Sequence, residues 1–301
     1  MNLAGGRRMI VGGHRLLAAL ACASLLLGVG ACRWGESSDS EKSPVPVLMY
    51  HKVIRDGVPA QYEIPEPLFR EHMAYLAAHD FVTVSPDDYR AFLEHGKALP
   101  AKPVMLTFDD WTPDHFEVVR PILDGFGFTG LFFVFTDRLS LPSDGERLRA
   151  ISREGHVVAA HSVHHSYLTQ EPCDKEWKCC RGFAPCTPEE IRYELEESKR
   201  ILEDLTGSPI STFAWPGGFF SEAAVAMALQ AGFTMTFAVE RQSLEGKVRR
   251  NRIGVTRDPR LVFRTEIDGR CGMEHFPQAV ESQRCCVVSP ARFYRYCVPQ
   301  L

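Results

Sequence analysis

Two groups of residues in this 301-residue chain combine type and spacing in a way that suits catalysis: the adjacent pair Asp109-Asp110, and the histidines of His161-Ser162-Val163-His164-His165. Two neighbouring carboxylates repel, so a site that holds both normally includes a cation; one then ligates it while the other handles protons. His161 and His165 stand four apart, a spacing that puts both imidazoles on one side of a single helical turn, as metal-binding histidine pairs require. With Asp110 they make a two-histidine, one-carboxylate set whose open coordination positions admit water and substrate. His164 competes with His165 for this place, since its spacing from His161 is also helical.

These side chains need strands to bring them together. Val104 to Phe108 is an apolar, β-prone run bounded by Pro103 and by the helix start Thr112-Pro113. It predicts a buried strand that delivers both aspartates at a sheet edge, where parallel α/β folds keep their chemistry. Val45 to Tyr50 predicts a first strand ending in His51, and Val157 to Ala160 a short one ending in His161. Further strands are predicted at 81–84, 130–135, 212–215, 235–239 and, last, 252–255. Between them, Pro67 to Ala78 carries Phe69, Met73 and Leu76 at helical spacing, and helices are also expected after Ser85-Pro86 and over 223–230. The best signposted helix has Thr187 as N-cap, Pro188 in first position, Glu190 completing a capping box and Gly207 as its stop. Repeated βα units over 45–260 imply one domain built on a mainly parallel sheet or a barrel.

With 45% hydrophobic and 24% charged residues the chain can bury a sizeable core. Its net charge is −4, and the first 31 residues hold three arginines and no acid, so the remainder carries −7 and does not suit nucleic-acid binding. Residues 1–31 read as a secretory signal, with a basic segment from Arg7-Arg8 to Arg15 and an apolar stretch from Leu16 to Gly30 that is short for a membrane span. The protein is therefore expected to be exported, to the periplasmic or cell-surface side. Val29-Gly30-Ala31-Cys32 resembles the lipobox of bacterial lipoproteins, which makes Cys32 the expected lipidation site and membrane anchor. An ordinary cleavage site and a twin-arginine signal are the alternatives. Residues 32–44 are small, polar and charged, as a flexible tether would be. Eight further cysteines fall in two groups: Cys173, Cys179, Cys180 and Cys186 after the histidines, and Cys271, Cys285, Cys286 and Cys297 in a 261–301 tail expected to pack on the domain. In an exported chain this even count predicts four disulfides with connectivity open; a second metal site around Cys179 and Cys180 is the alternative.

Thr107-Phe108-Asp109-Asp110 and His161-Ser162-x-x-His165, in this order and about fifty residues apart, resemble the first two motifs of the polysaccharide deacetylases with a chitooligosaccharide-deacetylase (NodB-like) domain. The opening Val47-Leu48-Met49-Tyr50-His51 and the segment 213–218 resemble the branch that deacetylates poly-N-acetylglucosamine. The resemblance covers roughly 45–256 and implies a distorted (β/α) barrel with about seven parallel strands. It selects His165 over His164. Asp110, His161 and His165 become the ligands of a divalent metal, zinc above all, and Asp109 the base for a water that attacks the acetamide carbonyl. A backbone N–H in the Pro216-Gly217 turn would help hold the oxyanion. The implied reaction removes N-acetyl groups from an amino-sugar polysaccharide of the poly-N-acetylglucosamine type, with peptidoglycan and chitooligosaccharide as alternative substrates.

Two departures from the family's pattern stand out. Its third motif, Arg-x-Pro-Tyr, has Ala214 here in place of the Arg and Gly217 in place of the Tyr. The Arg normally orients the catalytic Asp, and Arg252 is the candidate to supply that charge from another strand. The C-terminal Leu-x-His is also missing, and His275 is out of context for it, so His51 is the candidate general acid at the same rim. These losses keep open a polysaccharide-binding lipoprotein of weak activity. An O-esterase on acetylated sugars would use the same residues, and a non-haem iron oxygenase would share the ligand triad but not the second Asp. Protein partners are not readable from the sequence.

Overall fold

The computed structural model describes residues 45–140, 142–168, 186–239, 261–267, 269 and 272–282. Strand β1 (Val47–Tyr50) is followed by a small parallel pair, β2 (Lys52–Ile54) and β3 (Glu63–Pro65). Next come α1 (Glu66–Ala78), β4 (Val82–Thr83), α2 (Pro86–His95), β5 (Pro103–Phe108), and a π-helical turn (His115–Val119) that runs into α3 (Arg120–Phe126). The chain continues through β6 (Gly130–Val134), α4 (Asp144–Arg153), β7 (Val157–Ala160), α5 (Pro188–Thr206), β8 (Thr212–Ala214), α6 (Glu222–Gln230), β9 (Met235–Val239), β10 (Val262–Glu266) and α7 (Phe276–Ser282). Strands β1, β5, β6, β7, β8, β9 and β10 pair in that order, all parallel, and β10 returns to β1. The result is a closed seven-stranded β/α barrel, with β4 beside the first half of β5. No described helix is long and apolar enough to cross a membrane.

Local chemistry sets the element limits. Ser85 caps α2 by accepting the Asp88 N–H at 3.1 Å, and Thr187 and Glu190 form the expected capping box on α5. Along the strands, alternate side chains face opposite ways. Leu48, Leu106, Phe108, Phe132 and Phe213 pack in a cluster with the helices, whereas Val47, Met105, Leu131, Phe133 and Phe237 form a second cluster inside the barrel. Carried toward the C-terminal strand ends, the inward parity passes from apolar residues to Thr107, Asp109, His161 and Arg264, all of them buried. The apolar plug thus ends where the polar site begins.

The last expected strand, 252–255, lies outside the described residues. The strand that closes the barrel is β10, in the stretch expected to be a tail. Arg252, Cys32, Cys173, Cys179, Cys180, Cys271, Cys285, Cys286 and Cys297 also lie outside the described residues. Cys186 is disulfide-bonded.

Candidate active site

Asp109 continues the β5 ladder, its N–H donating to Tyr50 O at 3.0 Å. Consecutive side chains of an extended chain diverge, yet both carboxylates here face one imidazole. Asp109 Oδ2 lies 3.9 Å and Asp110 Oδ1 3.6 Å from His161 Nε2. The cause is the backbone: Asp110 and Trp111 take left-handed φ values of 77° and 51°, which swings Asp110 back over the barrel mouth. Such conformations cost on the order of 1–3 kcal/mol each. Burial of the Trp111 ring against His115 and Phe132 offsets that strain.

His161 leaves the end of β7. Its Nδ1–H donates to Ala214 O at 2.8 Å, which leaves Nε2 without a proton and turned to the carboxylates. Burial pushes its pKa down to about 4, so the ring is neutral at neutral pH. His165 does not follow on a helical turn, as its spacing suggested. Ser162 and His165 have φ values of 71° and 56°, and the His165 N–H donates to Ser162 Oγ at 3.0 Å, closing a tight loop instead. A short hydroxyl side chain that bonds nearby backbone favours such a loop over helix. The loop still brings His165 Nε2 to 3.3 Å from Asp110 Oδ1. His164 turns away, its Nδ1 2.6 Å from Glu194.

Asp110, His161 and His165 therefore present three ligand atoms within 4.8 Å of one another. Asp110 Oδ1 is buried and accepts no hydrogen bond. A carboxylate oxygen facing two imidazole nitrogens, one of them shown unprotonated by its ring partner, fits a divalent cation. Burial raises the Asp110 carboxyl, but the His165, His51 and His161 rings outweigh it and hold the group well below the carboxylate range. The Asp110 and His165 side chains are 30% and 33% exposed, so the set opens outward on that side. Asp124, Glu154 and His156 form a second such cluster. There Arg120 bonds Glu154 at 2.8 Å, and the two His156 nitrogens face the Gly130 N–H and Asp124. That cluster is accounted for as a network tying α3 and α4 to β6.

The arginine on Asp109 is Arg264 of β10. Its guanidinium forks onto both carboxylate oxygens, at 2.6 and 2.8 Å, with both residues buried. It also lies over Phe133, 5.0 Å from the ring centroid, and donates to Thr107 Oγ1 at 3.3 Å. Burial raises the Asp109 carboxyl; Arg264, His161 and His51 reverse the shift and hold it below its ordinary value. The charge expected of Arg252 thus comes from a residue that sequence reasoning missed. A basic residue between Phe263 and Thr265 in an otherwise β-prone run was the available signal.

His51 follows β1 on the same rim. The His115 ring Nε2–H donates to His51 O at 2.7 Å, Tyr62 packs with its ring centroid 4.6 Å away, and its Nδ1 is buried with no hydrogen-bond partner. Burial lowers its pKa against the pull of Asp109 and Asp110. After β8, the Gly218 N–H donates to Trp215 O at 2.8 Å and the Phe219 N–H to Pro216 O at 3.3 Å. Among the described residues the Gly217 N–H has no acceptor.

Residues 96–236 match the family model described as polysaccharide deacetylase. The chain carries a polysaccharide deacetylase domain. The chain is 22% identical over 198 residues to YxkH of Bacillus subtilis (strain 168), whose name assigns it to the polysaccharide deacetylases; the match spans 65% of this chain and 64% of that protein. Among solved structures it resembles the Streptococcus pyogenes deacetylase PplD in complex with acetate, at a TM-score of 0.62 and 18% identity, covering 79% of this chain and 98% of that one. It also resembles IcaB from Ammonifex degensii, at a TM-score of 0.60 and 23% identity, covering 80% and 97%. These likenesses agree with the seven-stranded barrel.

In this deacetylase domain both departures from the third motif have structural counterparts. Ala214 contributes its carbonyl to His161, while β10 supplies the guanidinium. Gly217 has a φ of 63°, and the Tyr167 ring lies so close that a Cβ at 217 would collide with it. A tyrosine side chain cannot stand there as the turn is built. Tyr167 fills that space from the loop after His165, its ring tilted against Phe219 at 4.9 Å between centroids.

Proposed function

We propose that this deacetylase removes N-acetyl groups from an amino-sugar polysaccharide of the poly-N-acetylglucosamine type, with zinc held by Asp110, His161 and His165. The observation that carries the reading is the convergence of the two imidazole Nε2 atoms on the buried, unpartnered Asp110 oxygen, beside a second carboxylate gripped by Arg264. A bound divalent cation supplies Lewis-acid polarisation of the acetamide carbonyl and lowers the pKa of water. Asp109, kept ionised and aimed by Arg264, takes the proton of the attacking water. The Gly217 N–H donates to the oxyanion that forms. His51 protonates the departing nitrogen, since an amine anion is too basic to leave. The C–N bond breaks, the new C–O bond remains, and acetate and the amino sugar depart.

The likeness of the β1 segment and the 213–218 turn to the poly-N-acetylglucosamine branch supports the choice of polymer. Lipidation at Cys32 after export would tether the domain to the membrane on the side where such polymers lie. Acetate release from poly-β-1,6-N-acetylglucosamine, chitooligosaccharide and peptidoglycan, each with and without zinc, ranks the substrates. Asp110→Ala should lose zinc and activity together, whereas Asp109→Asn should lose activity with zinc retained. His51→Ala should lower kcat by roughly 10²- to 10⁴-fold, again with zinc retained. Unchanged zinc and turnover in Asp110→Ala would overturn the site.

A further inference from the structure

Resting on the reading of Asp110, His161 and His165 as a metal site, we propose that Glu194 is a positioning residue that fixes the 161–165 loop so that His165 stays aligned with Asp110. Glu194 lies on the buried face of α5, in line with Ile191, Leu195 and Leu202, and is only 4% exposed. A carboxylate at such a position is costly unless its oxygens are satisfied. Its oxygens are satisfied by this one loop. Oε2 accepts the Val163 N–H at 2.8 Å and the His164 N–H at 3.0 Å, and Oε1 lies 2.6 Å from His164 Nδ1.

The loop needs holding because of its backbone. Ser162 and His165, neither of them glycine, both sit in the left-handed region, a conformation that persists only where surrounding bonds over-determine it. After β6, Thr136 and Asp137 donate N–H groups to Ser162 O at 3.1 Å and Val163 O at 3.0 Å. The β6 connection thus takes the loop's carbonyls and Glu194 takes its N–H groups. Removing Glu194 leaves the buried Val163 N–H and the part-buried His164 N–H without that acceptor immediately before His165, while the contacts of His161 with Val134 and Ala214 stay intact. His165, the more exposed ligand, is the one that would drift.

The test is zinc affinity of the full chain, by competition with a chromophoric chelator, alongside circular dichroism of each variant. Wild type should bind one zinc and His161→Ala should not; absence of zinc binding by wild type would overturn the metal reading itself. Glu194→Ala should keep its secondary structure and bind zinc about 10- to 100-fold more weakly. Glu194→Gln retains an oxygen for the two N–H groups and should recover most of that loss, a rescue that loss of packing alone does not predict. A folded Glu194→Ala with wild-type zinc affinity would overturn the inference while leaving the metal site standing. Should Glu194→Ala not fold, Glu194→Asp, one methylene short of the loop, replaces it with the same two outcomes.

Discussion

In the proposed reaction the Arg264–Asp109 pair would set the direction of proton transfer more than the stability of the fold. Two charges taken out of water lose hydration that their mutual attraction only partly restores, so a buried pair is weak support for a domain. Its value lies in the fork: two N–H groups, at 2.6 and 2.8 Å, leave the carboxylate one orientation. They also keep it ionised against its burial. Replacing Arg264 by Met removes the cation and leaves the desolvation, so the Asp109 pKa rises. A base works only when ionised, hence the acid limb of the kcat/KM profile should move to higher pH, with a larger loss at pH 6 than at pH 8. Arg252→Met should leave the limb in place. A profile for Arg264→Met that fell uniformly, with no displacement, would deny Arg264 this role.

At the scale of elements, the turn after β8 depends on what is missing from it. Gly217→Ala places a methyl against the Tyr167 ring at a left-handed φ, so the turn must shift and carry its free N–H away from the site. We expect lower kcat for Gly217→Ala and partial recovery in the double variant with Tyr167→Ala, read as a non-additive cycle; strict additivity would show that the two do not press on each other. The strands that present this turn and the aspartates were legible because their short apolar runs are interrupted by Pro, Gly or cap residues. α5 was legible through Thr187, Glu190 and Gly207. β10 was not, since Arg264 and Thr265 break its apolar pattern and are buried only because barrel neighbours satisfy them. The 161–165 loop was misread as helical because a four-residue spacing is the same in either form. The reversal of φ at Asp110, which lets adjacent carboxylates share a site, is only weakly signalled by residue type, since Asp visits left-handed backbone more readily than most residues but usually does not.

The whole barrel is joined at the seam where β10 meets β1, and α7 packs nearby against α1. His72 of α1 sits in that junction. Its ring stacks on Phe276 at 3.8 Å between centroids, and its Nδ1 lies 3.3 Å from the Tyr50 hydroxyl. Nε2 is buried with no hydrogen-bond partner, and burial pushes the pKa down to about 3. An unfolded histidine titrates near 6.5. The folded value is the lower one, so between these limits the unfolded chain binds a proton that the folded chain refuses. His72 therefore costs nothing above pH ~6.5 and erodes stability progressively as pH falls toward ~3. Over the interval from ~6.5 to 5 this amounts to about 2 kcal/mol. His72→Gln cannot titrate. Urea unfolding with a chelator present, so that proton-driven metal loss does not enter, should show wild type losing about 2 kcal/mol more than the variant between pH 7 and pH 5. The other buried histidines contribute equally to both proteins and cancel in the difference. Parallel losses would mean that the folded protein accepts a proton on His72, and that the junction between α1 and α7 admits water.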